Sequence, residues 1–598
     1  MQENDVQIND VECLRNDFLK LGLIQAYEAF LTFMRFPNQN NAERVLESIP
    51  PELEPLTQTE LNAALALYSE DKRQYEYLYS YGQVIIWDEV LNTYKTILHQ
   101  IAIIDSISLS PDCSNYTLVL DELKQLLTPY AQMQIALSDL ESVLGVDRFL
   151  DRISEDTFAV LTSLLQDAKH KIEDKSKQFK TQAQIRYSTT NVYTALAHSL
   201  IQANENNQVC DLISSGKDQV LLLVIDGLGF CQYLWNKGID SKHQNYTFKE
   251  NVFSWLSKNN LLREMILGSS FVTDTGAGLA NIFLGKKASS TGVFASKIRN
   301  ETAGTPYIET KRINRSLFDS LFSCPNSITD VLATFNKEST IYYCSRYQDP
   351  PSGFSSHLFE SAEVIPILPA ERVFSIVLDD IFCGKTSGLQ VVYLTGIDNN
   401  GHTTGAYSAF EKQEHLKMDS LLRNFLIELA YFRPELFDGK RSIMITADHG
   451  MYESSKKMIS RQDIISSLNY AGIRNIKLIE NNRALLFYNE GYSDTEYVAT
   501  VLRDYFRTHK FDVDVQTAAD KGFYECLCSE DNDDKRPSII ARIIGEGLFF
   551  SRPDISEHLL HYGGHGGYSV DEVFVPLIEI PLNSRLLAHI NTRFLSKK

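Results

Sequence analysis

The sequence predicts an α/β protein, a mainly parallel central sheet flanked by helices with small cap insertions, preceded by an all-helical N-terminal domain. Three observations predict it. From Asn9 to about Leu200 the chain runs in long amphipathic stretches with few glycines, such as VLTSLLQDAKHKIEDKSKQFKTQ, whose apolar positions recur at helical spacing. After the polar segment NENNQVCDLISSGKDQ comes VLLLVIDGLG, a continuous apolar run closed by an acid and glycines, the pattern of a parallel strand buried on both faces. Beyond it, strand-like and helical segments alternate, which is the mark of an α/β layer structure.

Taken in order, the N-terminal helices are interrupted at Pro50 and Pro51 in ESIPPELEPL and again around Pro111 in SLSPDCSN, and they show no repeat period. The predicted domains are 1–205, all helical, and 206–598, α/β. Within the second, VVYLTGID, SIMITADHG and RALLFYN read as strands and FEKQEHLKMDSLLRNFLIELA as a helix. Two stretches, near 299–388 and 456–560, separate the motif-bearing strands by more than one crossover requires, so each is predicted to hold a peripheral insertion. The second contains EYVATVLRDYFRTHKFDVDVQTA, a helix followed by a strand, suited to a small cap of the kind that selects substrate.

Composition bounds the function. A chain of 598 residues exceeds what one core supports, and 43% hydrophobic with 22% charged residues is the balance of a folded globular protein. The net charge of -20, from 57 Lys+Arg against 77 Asp+Glu, opposes binding to duplex nucleic acid or an anionic membrane. The start MQENDVQINDVEC has no basic segment followed by an apolar core, and no apolar run reaches bilayer length, so a cytoplasmic protein without a Sec-type signal or membrane insertion is expected. Nine cysteines from Cys13 to Cys528, an odd number without paired-ligand spacing, fit reduced thiols. Cys526 and Cys528 alone do not make a metal site, and the sequons at Asn115 and Asn245 carry no weight in a chain without an export signal.

The chemistry sits where hydrophobic strands run into loops. In open α/β sheets, side chains beyond the carboxyl ends of the strands converge on one crevice, and Asp226, Asp398, Asp448 and His449 all hold such positions. Asp398 and His402, in IDNNGHTTG, leave one strand end four residues apart, with Gly401 expected to turn the loop so that both reach one ion. Asp448 and His449, in ITADHGM, are adjacent and fan out from a loop to serve different or shared ions. Imidazoles with carboxylates suit zinc, with manganese as the alternative. Thr275, in SSFVTDTGAGLANIFLG, precedes a small-residue segment that begins a helix. Its hydroxyl becomes an effective nucleophile beside a divalent ion, and the helix N-terminus offers N–H groups to phosphate oxygens. Thr273 and Asp274 are expected to shape this loop without touching metal. A lone acid at a strand end is ordinarily a turn former or a helix cap; the joint occurrence of these segments carries the functional reading. The glycines after the first strand lack the G-x-G-x-x-G spacing of a dinucleotide fold. His561 reads as structural, and His558 and His415 as surface residues.

VLLLVIDGLG, VTDTGAGLANIFLGKKASSTGV, IDNNGHTTG, ITADHGM and GGHGGYSVDEVFVPLIEI stand in the order of the motifs of the alkaline phosphatase superfamily. They resemble the nucleotide pyrophosphatase/phosphodiesterase branch and the related PglZ-type domains, over roughly Gln219 to Pro581; the helical N-terminus resembles no family. The resemblance implies an alkaline-phosphatase-like sandwich and two divalent metal ions, most readily Zn2+, with Mn2+ as the alternative. One ion is held by Asp398, His402 and His565, the other by Asp226, Thr275, Asp448 and His449, with the ions about 4 Å apart. It further implies attack by Thr275 to give a phosphothreonine that water then resolves, with zinc-bound hydroxide as the second nucleophile. The chain departs from the branch after the nucleophile, where an ungapped count puts Ser296 at the phosphate-binding Asn and Thr291 at the His of its H-G pair. The candidates for phosphate binding are therefore Gly276, Asn281 and Ser296.

The implied activity is hydrolysis of a phosphodiester or pyrophosphate bond in a nucleotide or another small phosphorylated molecule. A phosphomonoesterase or a phosphomutase of the same superfamily is the alternative within enzymes. Against the mutase stands His565, more than a hundred residues beyond the Asp-His-Gly motif that the mutases' last His follows closely. An alternative of another class is a signalling or defence scaffold, with a protein partner on the N-terminal helices and a phosphatase-like module behind; all the expected ligand positions are filled, which favours activity.

Overall fold

The computed structural model describes most of residues 18–107 and 155–596. Residues 1–17, 73–80, most of 108–154, and 204–209, 239–250, 300–306, 314–325, 345–352, 521–536 and 551–562, with shorter interruptions, lie outside the described residues. With them fall Cys13, Pro111, Asn115, Asn245, Ser296, Cys526, Cys528, His558 and His561. The chain divides into two compact units, 1–110 with 119–179, and 111–118 with 180–598.

The first unit is helical among its described residues. It contains α1 (Ile24–Arg35), α2 (Gln39–Glu47), α3 (Glu54–Glu70), α4 (Tyr81–Ser106) and most of α5 (Glu155–Arg186). Spacings of three and four place Tyr27, Phe30, Leu31 and Met34 on one face of α1, where they bury with Val45, Leu61, Val90, Ile97, Ile104, Leu161 and Ala168. The break expected at Pro50 and Pro51 falls between α2 and α3. No helix among the described residues is long and apolar enough to cross a membrane.

The expected boundary at 205 moves to 179/180. The next helix, α6 (Thr190–Ile201), packs on α7 (Thr275–Leu284) and on the first strand, and the Thr189 N–H donates to the Gly268 carbonyl at 2.8 Å.

In chain order the strands that organise the second unit are β1 (Gln219–Ile225), β2 (Arg263–Gly268), β3 (Ser339–Cys344), β4 (Glu363–Pro366), β5 (Gly388–Leu394) and β6 (Arg441–Thr446). Next come β7 (Ile476–Asn481), β8 (Ala484–Asn489), β9 (Val513–Thr517) and β10 (Ile539–Ile543), then β11 (Phe574–Leu582). The main sheet has the order β2-β11-β6-β1-β5-β3-β4, parallel throughout except that β11 is antiparallel to both neighbours. All residues of β1 and β5 are buried, as expected for strands covered on both faces. Parallel registers Ile225 with Leu394 and Val224 with Thr446 bring the carboxyl ends of β5, β1 and β6 together at one edge.

The stretch 299–388, expected to hold a peripheral insertion, also supplies β3 and β4, two strands of the main sheet. The stretch 456–560 does build a separate sheet, β7-β8-β10-β9, antiparallel throughout, so RALLFYN is a strand of this cap. Period-two alternation gives the cap two apolar faces. Leu478, Leu485, Phe487, Ile539 and Ala541 pack with α10 (Arg461–Tyr470) and α11 (Thr495–Thr508), labels that leave α8 (Gly396–Thr404) and α9 (Ala409–Phe432) to the segments after β5. Ile479, Leu486, Tyr488 and Ile540 pack on Val272, Phe294 and Ala295, the segments flanking the predicted nucleophile.

Candidate active site

Of the metal-ligating residues expected from the sequence, Asp226, Asp398, His402, Asp448 and His449 lie at the carboxyl edge of β1, β5 and β6, Thr275 opens α7, and the turn before β11 brings in His565. Asp226 directly follows β1; its N–H donates to Leu394 O at 2.9 Å, while its own carbonyl accepts the Asp398 N–H at 3.2 Å. Asp398 and His402 are carried by α8 and not by a turning loop: i and i+4 lie on one helical face, which sets His402 Nε2 3.3 Å from Asp398 Oδ1. Gly401 is needed for close packing, since a Cβ there would approach Met451 Cγ at 2.9 Å. Asp448 and His449 follow β6 in irregular backbone and face the same crevice.

Thr275 opens α7. Asp274 caps the helix, accepting the Gly276 N–H at 2.9 Å, and the buried run from Ala277 to Leu284 anchors the rest. Gly278 lets α7 lie directly on the Asp448 backbone, because a Cβ at that position would sit 2.6 Å from Asp448 O. Thr275 Oγ1 thereby lies 3.0 Å from His449 Nε2, at the positive end of the helix dipole.

The imidazoles share a device that the sequence does not show. His402 Nδ1 meets Gly563 O at 3.2 Å, His449 Nδ1 meets Gly450 O at 3.0 Å, and His565 Nδ1 meets Thr273 O at 2.9 Å. A carbonyl only accepts, so each Nδ1 carries the proton and each Nε2 presents a lone pair to the crevice. His449 Nε2 stands 3.5 Å from Asp226 Oδ1 and 3.7 Å from Asp448 Oδ2, and His565 Nε2 stands 3.8 Å from Asp398 Oδ1. The His449 and His565 rings stack with centroids 3.9 Å apart.

The donor set fits divalent metal. Asp226 Oδ1, Asp398 Oδ1 and Asp448 Oδ2 are buried without a hydrogen-bond donor among the described residues, which is costly for carboxylate oxygens unless a cation meets them. Among the described residues, two groups have ligand atoms mutually within 4.8 Å, Asp398 with His402 and His565, and Asp226 with Asp398 and His449, so Asp398 reaches both. Burial, then Asp448 and Asp398, drive the Asp226 carboxyl well above its ordinary range; burial and Asp398 raise Asp448 against the pull of His449. At Asp398 burial also acts upward, but His402, His565 and His449 together outweigh it and hold the acid below its usual value. His565 is pushed well down by burial and by His449, whereas Asp398 raises His402 against burial. A bound cation reverses the penalty on the acids and favours the neutral imidazoles.

Among the phosphate-binding candidates, Gly276 sits beside Thr275 with its N–H given to Asp274. Asn281 lies about 9 Å along the axis at 1.5 Å per residue, and the structure does not bring it to the hydroxyl. Its amide donates to Thr189 Oγ1 at 3.0 Å. Ser296 is outside the described residues. His415, read as a surface residue, is fully buried: it packs edge-on against Trp235, 5.5 Å between centroids, and burial pushes its pKa down to about 3. Tyr393 was not singled out by the sequence reading, yet its hydroxyl donates to Asp226 Oδ2 at 2.6 Å. The available signal was a tyrosine inside a fully buried strand, whose hydroxyl requires a partner.

No protein-family model matches the chain, and no curated protein sequence matches it. Solved structures similar to it include mouse ectonucleotide pyrophosphatase/phosphodiesterase 5, at 17% identity over 60% of this chain and 87% of that one, TM-score 0.44. The human ectonucleotide pyrophosphatase/phosphodiesterase 5 is similar at 16% identity over 60% and 87%, TM-score 0.43. Phosphonoacetate hydrolase from Sinorhizobium meliloti, in complex with phosphonoacetate, is similar at 12% identity over 63% and 96%, TM-score 0.46. The motifs of this chain resemble those of the alkaline phosphatase superfamily.

Proposed function

We propose that this chain is a metal-dependent hydrolase that cleaves a phosphodiester or pyrophosphate bond in a small phosphorylated molecule or nucleotide through a phosphothreonine at Thr275. The observation that carries the reading is the position of the Thr275 hydroxyl at the start of α7, 3.0 Å from His449 Nε2, beside carboxylate oxygens with no donor among the described residues. Asp398, His402 and His565 would hold one divalent ion, and Asp226, Asp448, His449 and Thr275 the other, with zinc favoured by the nitrogen and oxygen donors. When bound, such ions supply positive charge to an anionic phosphate and lower the cost of ionising a hydroxyl.

The chain's own residues account for the rest. Asp274 fixes the first turn of α7, so Thr275 Oγ1 is presented at a defined place and the helix dipole favours a phosphoryl group there. Attack forms the Thr275 Oγ1–phosphorus bond as the bond to the leaving oxygen breaks, the hydroxyl proton going to that oxygen; water then attacks phosphorus, breaks the Thr275 Oγ1–phosphorus bond and returns a proton to Oγ1 as the product leaves. The Nδ1 contacts keep the three imidazoles in the tautomer a metal requires. The helical N-terminal unit is proposed to dock a protein partner, and the acidic charge balance fits a cytoplasmic setting.

The test is purification, elemental analysis for zinc, and comparison of bis-p-nitrophenyl phosphate with p-nitrophenyl phosphate, each with and without chelator. Chelator-sensitive turnover that vanishes in Thr275→Ala while metal stays bound is the expected result, with the diester as the better substrate. A folded protein that neither holds zinc on resupply nor turns over either ester refutes the reading.

A further inference from the structure

The turn between β7 and β8 reaches into the base of the site from the cap. It is a two-residue connection, Asn482 and Arg483, entered through Asn481 and tightened by Asn482 at φ +40°. Asn481 Nδ2 donates to Asp274 Oδ2 at 2.9 Å, and the other oxygen of Asp274 caps α7. Arg483 is fully buried; Nε donates to Glu572 Oε1 at 2.9 Å, and Nη1 and Nη2 donate to Gly547 O at 2.8 Å and Gly545 O at 2.9 Å. Its guanidinium also lies 4.2 Å over the Tyr452 ring.

Glu572 is equally buried and accepts the Gly567 N–H at 2.8 Å and the Ser569 hydroxyl at 2.6 Å, so it holds the turn that presents His565. Its carbonyl accepts the N–H of Gly450, whose own carbonyl meets His449 Nδ1. Thr273 joins the two sides, its carbonyl at His565 Nδ1 and its hydroxyl accepting the Gly566 N–H at 2.8 Å. One short turn of the cap therefore grips both the cap of the nucleophile helix and the loop of the late histidine.

We propose that Asn481 and Arg483 are positioning residues: Asn481 sets Thr275 through Asp274, and Arg483 sets His565 and His449 through Glu572. The cap sheet is then part of the catalytic frame in addition to any role in choosing substrate. The inference rests on the hydrolase reading above. Physically, a carboxylate held by two donors at fixed points has little freedom, and a buried bidentate pair with further hydrogen bonds fixes geometry more than it adds stability.

The experiment compares the full-length zinc-loaded protein with Asn481→Ala, Arg483→Lys and, as a control on an exposed face of the same cap, Arg507→Ala. The readouts are kcat and KM on bis-p-nitrophenyl phosphate, the rate at which a chelator strips each zinc equivalent, and urea unfolding. Arg483→Lys keeps a cation against Glu572 and avoids the unpaired buried carboxylate that alanine would leave. Expected are a fall in kcat of about tenfold or more in Asn481→Ala with KM within about threefold, and loss of one zinc equivalent about tenfold faster in Arg483→Lys. The control should match the parent. If Arg483→Lys does not fold, Asn481→Ala decides alone. A rise in KM with kcat unchanged, or parental kcat and zinc retention in both variants while Thr275→Ala is inactive, overturns the positioning role and leaves the hydrolase reading standing. A parent that binds no zinc and turns over neither ester brings down both.

Discussion

Replacing Tyr393 by Phe isolates a single contact beneath the site. The Tyr393 hydroxyl donates to Asp226 Oδ2 at 2.6 Å, while Asp226 Oδ1 has no hydrogen-bond partner among the described residues and faces His449 Nε2 at 3.5 Å. The phenyl ring of the variant keeps the strand packing and the stack on Tyr343, at 5.3 Å between centroids and 11° between planes, so only the donor is lost. A buried hydrogen bond to a charged group contributes about 1.5–3 kcal/mol, and removing a donor behind a metal ligand typically weakens metal binding about 10–100-fold. The assay is competition for zinc against a chromophoric chelator, with both equivalents followed. The expected result is weakening of one equivalent by about 10–100-fold, the other within about threefold, with kcat reduced only at limiting zinc. Unchanged affinity for both equivalents would refute the assignment of Asp226 as a ligand oriented from behind by Tyr393.

Other expectations follow from the same geometry. Gly278→Ala drives a Cβ to 2.6 Å from Asp448 O, so stability should fall by about 1–3 kcal/mol in urea unfolding, with loss of turnover at temperatures where the variant remains folded. Chelation of the parent should lower the melting temperature, since a ligand at 100 times its Kd contributes about 2.7 kcal/mol; Asp226→Asn should shrink that chelator effect. Lys180 is buried with its Nζ donating to Tyr568 O at 2.6 Å, and burial lowers its pKa from 10.5 to about 8. The unfolded chain therefore binds the extra proton between those values, the charged form costs folding about 3 kcal/mol below pH 8, and the cost disappears as pH approaches 10.5. Relative to Lys180→Met, parental stability should rise across that window in urea titrations at stepped pH. A flat difference would mean that Lys180 is not desolvated.

The strand ends were legible because a buried parallel strand is a continuous apolar run that stops at a polar residue: Asp226 directly follows β1, and Asp448 and His449 lie just beyond β6, while Asp398 lies past the end of β5 inside α8. Thr275 was legible as the hydroxyl before a run of small residues able to start a closely packed helix. The helix over 396–404 was not, because its Gly, Asn and Thr residues have poor helix propensity and contacts with α9 and the turn at Gly563 hold it. The unit boundary was misplaced for a related reason: the apolar spacing of α6 equals that of the N-terminal helices, and only its packing on α7 and β1 assigns it to the second unit. Segment 299–388 was too long for one crossover, and length alone does not distinguish an insertion from two added strands. The pair of Arg483 and Glu572, 89 residues apart, has no local pattern at all; each reads as an ordinary surface charge until both are found fully buried.

The central claim is that Thr275 takes the phosphoryl group. The most direct measurement is acid quench of the zinc-loaded protein during turnover of p-nitrophenyl phosphate, followed by peptide mapping by mass spectrometry. The account predicts one phosphoryl adduct, on Thr275, absent from Thr275→Ala and from the chelated protein. Turnover that persists in Thr275→Ala with no adduct on any residue would contradict it and assign the attack to water.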